Sequence, residues 1–220
     1  DGTFTAVQTG RDVTGTLTVT YGKTSCTLPV TVGSSQPFDD TKGHWAESCI
    51  TELYYAGTLQ GSEKNGKLYY RPDASMTRQE FIVAMMRYLG TDLSAYASVQ
   101  LPFDDSGSIA SWAKSAMQAA YQLGYLTGSK TNGKLLAKPG STISRQEAMT
   151  ILSRTKDFAD ADPNVLSAFS DSGKIADWAR TALAQMTQQK IISGSKGKLN
   201  PTGKVTRAEV AKMLYMLSES

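Results

Sequence analysis

Apolar residues recur three and four positions apart in six segments of the chain, with polar residues between them. This spacing places the apolar side chains on one face of an α-helix, so each segment is predicted to be helical. The first helix of each pair is predicted to begin at Trp45, Trp112 and Trp178. The second helices are predicted around Phe81 to Tyr88, Ala148 to Leu152 and Val210 to Leu217. The pattern therefore predicts three pairs of helices.

A short hairpin signal lies between the two helices of each pair. Asn65-Gly66 and Asn132-Gly133 are typical of two-residue turns, because Asn and Gly tolerate positive φ. The third unit is shorter here and has Lys196-Gly197 instead. Each unit thus reads as helix, turn, hairpin, helix. One such unit buries its apolar face poorly alone, so the three are expected to pack together.

The first 33 residues follow a different pattern. Apolar residues alternate from Leu17 to Tyr21 and again from Leu28 to Val32, with Gly22-Lys23 between the two runs. Alternation of this kind predicts a β-hairpin. Two or three strands are marginally stable alone, so we interpret them as the last strands of a truncated β-sandwich domain, followed by a linker. The predicted fold is therefore mainly α with a short N-terminal β-segment.

Four landmarks recur in the same order about every 65 residues. A Phe-x-Asp element comes first: Phe38 and Asp40, Phe103 and Asp105, Phe169 and Asp171. A Trp-Ala pair follows, and sixteen residues after each tryptophan come Gly61-Ser62, Gly128-Ser129 and Gly194-Ser195. A Pro-x₄-[Thr/Ser]-Arg-x-Glu element closes each unit, at 72–80, 139–147 and 201–209. We predict a β-segment at 1–33 and three repeats at 34–97, 98–163 and 164–220.

Composition and charge limit the functions that remain open. With 40% hydrophobic and 20% charged residues, the chain of 220 residues is not a fully disordered one. It has no apolar run long enough to span a membrane, and it begins at Asp1, so we interpret it as a mature or excised piece. The net charge of +3 weakly favours anionic partners, but nucleic acid is a poor candidate because stacking aromatics are not interleaved with the basic residues.

Few side chains are suited to catalysis or to metal binding. The chain has one histidine, His44, and two cysteines, and the ligand spacings of a zinc site are absent. A glycosidase using two carboxylates remains formally open. However, every landmark acid recurs threefold, which suits a binding module better than one asymmetric active site. We predict no catalytic residue, no metal and no cofactor.

The closing element of each unit predicts a capping box at the start of the second helix. Thr77, Ser144 and Thr206 are the expected N-caps, with Glu80, Glu147 and Glu209 three residues later. Capping does not require the arginine between them, and a cation there opposes the helix dipole. These arginines are Arg78, Arg145 and Arg207. One interpretation is that they bind an anion, and the alternative is a structural ion pair with a neighbouring acid, such as Asp40, Asp105 or Asp171.

The other recurrent residues also have two interpretations each. The glycine of each Gly-Ser pair is expected to end the first helix in a left-handed conformation, while the serine suits a sugar or carboxylate oxygen. The tryptophans are expected in the core, although an exposed indole could stack on a sugar ring. Cys49 aligns with alanines in the other units and is expected to pack as a small free thiol. A Cys26–Cys49 disulfide is the alternative in an exported protein.

Taken together, these residues resemble a known family. Phe38-x-Asp40-x₃-His44-Trp45-Ala46, Gly61-Ser62 and Thr77-Arg78-Gln79-Glu80 resemble an S-layer homology repeat. The copies at 103–147 and 169–209 resemble two more, and three tandem copies are the usual set of this family. Separately, the segment from Leu17 to Val32 is similar to the end of a bacterial immunoglobulin-like domain.

The resemblance implies a pseudo-threefold trimer of repeats around a central three-helix bundle. It also implies non-covalent anchoring of an extracellular protein to the bacterial cell wall or S-layer. The implied ligand is a secondary cell-wall polysaccharide carrying pyruvate-ketal N-acetylmannosamine, bound in grooves between repeats. The implied glycan-binding residues are Arg78, Arg145, Arg207, Gly61, Ser62, Gly128, Ser129, Gly194, Ser195, Trp45, Trp112, Trp178, Asp40, Asp105 and Asp171. The alternative function is a protein–protein subunit of a surface lattice, with the exposed β-segment pairing at its edge.

The three units are not identical. Ser170 stands where the other two units have an aspartate, and His44 has no counterpart in the second and third units. The spacing between the phenylalanine and the tryptophan is also shorter in the first unit. These departures bring equal use of the three grooves into question.

Overall fold

The structure is a computed structural model that describes residues 13–33 and 35–219. Contacts divide the chain into two compact units, one ending at Pro72 and the other beginning at Asp73. We describe each unit by itself. The part of the predicted β-segment that precedes Val13 lies outside the described residues.

The N-terminal hairpin is confirmed. Strands β1 (Val13–Tyr21) and β2 (Thr24–Val32) pair antiparallel across a turn in which Gly22 has a φ of 62°. The register places Leu17 opposite Leu28. This pairing follows from the alternating pattern, because residues two apart along a strand share one face.

The remainder of the first unit is a helix followed by a short hairpin. Helix α1 (Glu47–Tyr55) is followed by β3 (Ser62–Lys64) and β4 (Lys67–Tyr69). Asn65 and Gly66 have φ values of 54° and 73°, as the predicted two-residue turn requires. The ring of Phe38 is buried and contacts Tyr54 and Tyr70, with centroid distances of 5.0 and 5.3 Å.

The second unit contains the other predicted helices. In chain order its elements are α2 (Arg78–Tyr88), α3 (Lys114–Gln122), β5 (Ser129–Thr131), β6 (Lys134–Leu136), α4 (Arg145–Ser153), α5 (Asp177–Gln188) and α6 (Arg207–Ser218). Short 3₁₀ turns lie at Leu93–Tyr96, Ser106–Ser108, Ser111–Ala113, Pro163–Ala168 and Ser172–Lys174. The apolar positions that predicted the second helices are buried, among them Phe81, Leu152 and Leu214. The prediction of a mainly α fold with an N-terminal hairpin is therefore confirmed.

A ring of backbone hydrogen bonds joins the segments just before α2, α4 and α6. The N–H of Met76 donates to the carbonyl of Val205 at 3.1 Å, and the N–H of Val205 donates to the carbonyl of Ile143 at 3.0 Å. The N–H of Ile143 returns to the carbonyl of Met76 at 3.0 Å, which closes the ring. All three residues are buried. The ring holds the starts of the three second helices close together.

Candidate functional site

The second helices begin with the predicted capping boxes. In each box the N-cap hydroxyl accepts the N–H of the glutamate, and that glutamate carboxylate accepts the backbone N–H of the N-cap residue. The N-cap and glutamate pairs are Thr77 and Glu80, Ser144 and Glu147, and Thr206 and Glu209. Each helix start is thereby fixed, and so is the backbone from which the adjacent arginine extends.

Arg78 and Arg145 each pair with a glutamate of the following repeat. Arg78 Nη1 lies 2.9 Å from Glu147 Oε1, and Arg145 Nη1 lies 2.8 Å from Glu209 Oε1. The alternative of a structural ion pair is therefore confirmed for Arg78 and Arg145, although the partner is a glutamate and not one of the aspartates named as examples. A glutamate in a capping box still has one oxygen free, and this oxygen receives the guanidinium of the preceding repeat. Arg207 donates its backbone N–H to the carbonyl of Ala74 at 2.9 Å.

Each of these two guanidinium groups is also held by a carbonyl. Arg78 Nε donates to the carbonyl of Ala137 at 2.9 Å, and Arg145 Nε donates to the carbonyl of Leu199 at 2.9 Å. The side chains of Arg78 and Arg145 are only 10% and 11% exposed. Burial lowers the pKa of Arg78, and the charges of Glu147 and Asp105 oppose that shift. The guanidinium remains a cation at neutral pH because the ordinary pKa of arginine lies far above neutral.

The landmark aspartates hold backbone amides instead of arginines. Each carboxylate accepts two consecutive N–H groups at the end of its hairpin, at 2.7–2.9 Å. The donors are Tyr70 and Arg71 for Asp40, Ala137 and Lys138 for Asp105, and Leu199 and Asn200 for Asp171. Asp105 and Asp171 therefore fix the two residues whose carbonyls receive Arg78 and Arg145.

The glycines of the Gly-Ser pairs do not end the first helices, so this interpretation is wrong. Helix α1 ends at Tyr55 and Gly57, with a φ of 77°, follows it; Gly124 has the same φ after α3. The Gly-Ser glycines instead lie against the landmark phenylalanine rings. A Cβ on Gly128 would lie 2.6 Å from Phe103 Cε1, and one on Gly194 would lie 2.8 Å from Phe169 Cε1. A side chain at these positions would push the hairpin away from the ring.

The tryptophans are exposed, so their expected place in the core is wrong. Trp45, Trp112 and Trp178 are 63%, 57% and 58% exposed. The alanine that follows each one is buried instead. Two of the helices begin after the tryptophan, α1 at Glu47 and α3 at Lys114, so the indole lies at the helix start and not on the apolar face.

One pocket in the second unit brings several of these predicted residues together. It has a volume of about 330 Å³ and is lined by residues of all three repeats: Arg78, Leu126, Thr127, Gly128, Ser129, Glu147, Thr150, Ile151, Arg154 and Trp178. We call it the Arg78 groove. A cationic fork, a serine hydroxyl and an exposed indole therefore border one cavity, which could hold a saccharide bearing a carboxylate. We call the Arg145, Glu209 and Leu199 contacts the Arg145 site.

Arg154 is the residue of this pocket that the repeat motif did not single out. It follows the last residue of α4, and its Nη1 donates to the carbonyl of Tyr125 at 2.8 Å. The sequence does contain a signal for it: Arg154 lies nine residues after Arg145, and Arg87 lies nine residues after Arg78. Thr127, Thr150 and Ile151 were also not expected at the site.

The remaining predictions concern cysteines, metals and membranes. Cys26 is exposed, Cys49 is buried and no disulfide joins them, so the disulfide alternative is wrong. Among the residues that the structure describes, no group of three or more His, Cys, Asp or Glu side chains could hold a metal ion. No helix in that same part of the chain is both long enough and apolar enough to cross a bilayer.

Comparison with known proteins decides the family. The S-layer homology domain matches this chain three times, at residues 37–82, 102–149 and 168–211, which is more than half of its length. The chain belongs to the S-layer homology family. The resemblance seen in the sequence is thus confirmed. S-layer homology domains are non-catalytic modules that anchor S-layer proteins and cell-wall enzymes at the cell surface, so this protein is extracellular and associated with the cell wall or S-layer.

Relatives carry similar S-layer homology regions within much longer chains. The chain is 29% identical to an amylopullulanase of Thermoanaerobacterium thermosulfurigenes over 206 residues, which are 92% of this chain and 10% of that protein. It is 30% identical to exoglucanase XynX of Acetivibrio thermocellus, covering 84% of this chain and 16% of that protein. It is also 30% identical to the surface-layer 125 kDa protein of Lysinibacillus sphaericus, covering 58% of this chain and 10% of that protein. The chain therefore spans less than a fifth of each of these relatives.

Proposed function

We propose that this S-layer homology domain anchors its protein by binding an acidic secondary cell-wall polysaccharide, and that the bound unit is pyruvate-ketal N-acetylmannosamine. The Arg78 groove is the observation that carries the proposal. The carboxylate of the ketal suits a guanidinium, and the sugar ring suits an exposed indole beside a serine hydroxyl. Trp178 is 58% exposed, so the face of its indole is available to stack on a sugar ring.

The proposal includes the arrangement of the repeats. We propose a pseudo-threefold trimer around a central bundle of α2, α4 and α6, with repeat boundaries at 34–97, 98–163 and 164–220. The closed ring of hydrogen bonds through Met76, Ile143 and Val205 supports it, since each repeat contributes one residue in an equivalent place. Three similar grooves on one molecule would strengthen attachment to a polymer through avidity.

The site residues of the other repeats are part of the same proposal. Arg145, Gly194 and Ser195 would serve a second groove, and Arg207, Gly61 and Ser62 are proposed as further glycan-binding residues. The tryptophans Trp45 and Trp112 would be groove walls. Asp40, Asp105 and Asp171 would contribute by holding the hairpins in place, because each carboxylate is occupied by two backbone amides.

Calorimetry with two matched sugars tests this function. We expect the methyl glycoside of pyruvate-ketal N-acetylmannosamine to bind, and unmodified methyl N-acetylmannosaminide to bind at least about tenfold more weakly, because it lacks the carboxylate that a charge-assisted hydrogen bond needs. Equal affinity for the two sugars would contradict the proposal. The variant Trp178→Ala should weaken ketal binding several-fold without lowering the melting temperature, because its side chain is largely exposed.

A variant of the arginine requires its own control. Arg78→Ala is expected to weaken ketal binding, but it also leaves Glu147 without its cation. Arg78→Lys retains the charge and loses the planar fork, so it separates loss of binding from loss of folding. If Arg78→Lys and the unchanged protein bind the ketal equally, the fork does not hold the carboxylate.

A second candidate function is assembly into a surface lattice. Val19, Leu28 and Val30 are exposed apolar side chains on the N-terminal hairpin, and one relative is a surface-layer protein. Light scattering over a range of concentrations tests this function. A mass that grows with concentration supports assembly, and a constant monomer mass in a protein that still binds the ketal rejects it.

A further inference from the structure

One cation of the Arg78 groove has no counter-ion from the protein. Arg154 Nη1 donates to the carbonyl of Tyr125 at 2.8 Å and to Thr127 Oγ1 at 3.4 Å. Among the described residues no carboxylate lies within 4 Å of its guanidinium, and its Nε and Nη2 groups donate to no protein atom. Two N–H groups of one fork are therefore available to a ligand.

The two arginines of the groove differ in this respect. Glu147 already balances the charge of Arg78, and its other oxygen is occupied by the capping box of α4. Partial burial lowers the pKa of Arg154, and repulsion from Arg78 lowers it further. A ligand carboxylate beside Arg154 would relieve that repulsion.

We propose that Arg154 grips the carboxylate of the ligand in the Arg78 groove, and that this second arginine makes the groove bind an acidic saccharide more tightly than the Arg145 site does. The inference rests on the proposed function. It names the group that discriminates an acidic sugar from a neutral one. Arg78 then orients the ligand with its one unoccupied nitrogen, while the net attraction for the anion comes from Arg154.

The geometry of α4 allows both contacts to one ligand. Glu147 and Arg154 are seven residues apart on the same helix, which is two turns or about 10 Å along its axis. They therefore share one face of α4, with Thr150 and Ile151 between them along the groove. Trp178 and Ser129 line the same cavity as the two guanidinium groups, so a sugar held there can contact all four side chains.

The third repeat differs at the equivalent position. Met216 lies nine residues after Arg207, where Arg154 lies nine residues after Arg145. Beyond its first residue, Arg207, the cation of α6 is Lys212, and its Nζ lies over the Tyr215 ring, 5.4 Å from the centroid. Helix α6 therefore brings no second guanidinium to the Arg145 site. Because the Arg–Glu pair is the same at both sites, the difference in affinity is assigned to Arg154.

Indole signals in nuclear magnetic resonance spectra report on individual grooves. The chain has three tryptophans, and Trp178 lines the Arg78 groove. A titration of ¹⁵N-labelled protein with the ketal glycoside gives a dissociation constant from the Trp178 indole signal. The variant Trp178→Phe identifies that signal, because the signal is missing from its spectrum. We expect Arg154→Gln to raise that constant about tenfold, since a hydrogen bond between charged groups is lost, and to change the other two indole titrations less than about twofold.

The variant and its controls separate charge from structure. Arg154→Gln removes the charge and keeps an amide N–H on a shorter side chain, so its melting curve checks that the turn before Gly128 is retained. Lys114→Gln removes one positive charge from an exposed position at the start of α3 and should leave the Trp178 titration unchanged. The methyl ester of the ketal has no charge, and we expect it to bind the unchanged protein and Arg154→Gln alike.

The outcomes distinguish the two proposals. If the ketal shifts the Trp178 signal with the same dissociation constant in both proteins, Arg154 has no role in gripping the carboxylate, and the proposed function stands. If the ketal shifts no indole signal in the unchanged protein, the proposed function is wrong, and so is this inference, which rests on it. If Arg154→Gln is not folded by its melting curve, Arg154→Lys, which retains the charge and loses the planar fork, replaces it. A weakening of ketal binding by about threefold or more then supports the role of Arg154, and unchanged binding overturns it.

Discussion

At the Arg78 groove and at the Arg145 site, an arginine at the start of one second helix reaches the capping glutamate of the next. Both guanidinium groups are about 90% buried, and both donate Nε to a carbonyl that an aspartate-held hairpin presents. The sites differ at one position further along the receiving helix, where α4 is followed by Arg154 and α6 has Met216. We call the Arg–Glu pair, together with the carbonyl that receives the arginine Nε, the frame of each site. The frame joins one repeat to the next, so folding alone is sufficient reason for it. Among the described residues, Arg154 donates hydrogen bonds only to Tyr125 and Thr127 of its own repeat and does not join two repeats, which is why we assign it to the ligand.

The largest expected effect tests whether the two frames are equivalent. Glu147→Ala and Glu209→Ala each remove a capping-box partner and leave a nearly buried guanidinium without its anion. We expect each change to lower the free energy of unfolding by about 3 kcal/mol, less than for a fully buried pair because both glutamates are about one-third exposed. Chemical denaturation measures this value.

A glutamate outside the frame is the matched control for this pair. Glu63 is exposed in β3, and Glu63→Ala should change the free energy of unfolding by less than about 0.5 kcal/mol. If Glu147→Ala is strongly destabilising and Glu209→Ala is not, the two frames are not equivalent. The difference in affinity would then no longer be assigned to Arg154 alone.

A smaller effect tests the contact that sets each hairpin against its phenylalanine. Gly128→Ala and Gly133→Ala both place a side chain at a φ near +75°, but only Gly128 has a phenylalanine ring within reach of the new Cβ. We expect Gly128→Ala to lower the free energy of unfolding by about 2 kcal/mol and Gly133→Ala by about 1 kcal/mol. Gly194→Ala, beside Phe169, should match Gly128→Ala. Equal costs at Gly128 and Gly133 would mean that the ring moves aside freely.

Local patterns predicted local structure well. The capping boxes and the turns at Asn65 and Asn132 depend on residues no more than three positions apart, so the sequence contains the whole interaction. The helices followed from apolar spacing for the same reason. The tryptophans were wrongly assigned to the core because a helix start can direct a large side chain outward, while the small alanine beside it is buried.

The frame itself could not be predicted, because its partners are far apart in the chain. Arg78 and Glu147 are separated by 69 residues, and the aspartates suggested by charge alone are occupied by backbone amides. The Gly-Ser glycines were assigned to helix ends because helices often end at a glycine. Here the missing side chain of Gly128 and Gly194 instead allows a phenylalanine ring to approach the backbone closely. Arg154 became apparent only when the pocket brought three repeats together.

The smallest expected effect tests the aspartate that supports the Arg145 site. Burial would raise the pKa of Asp171, but hydrogen bonds from the N–H groups of Leu199 and Asn200, with the charge of Lys174, outweigh it and lower the pKa below its ordinary value. A carboxyl with a lowered pKa in the folded protein stabilises it above the ordinary aspartate range, and this stabilisation is lost as pH falls through the lowered pKa. Asp171→Asn should therefore cost about 1 kcal/mol at pH 7, and the cost should shrink steadily in acid. Asp160→Asn, at an exposed carboxylate, should cost less than about 0.5 kcal/mol at pH 7. If the cost of Asp171→Asn stays constant down to strong acid, the variant is destabilised by the loss of an oxygen acceptor and not by the loss of charge.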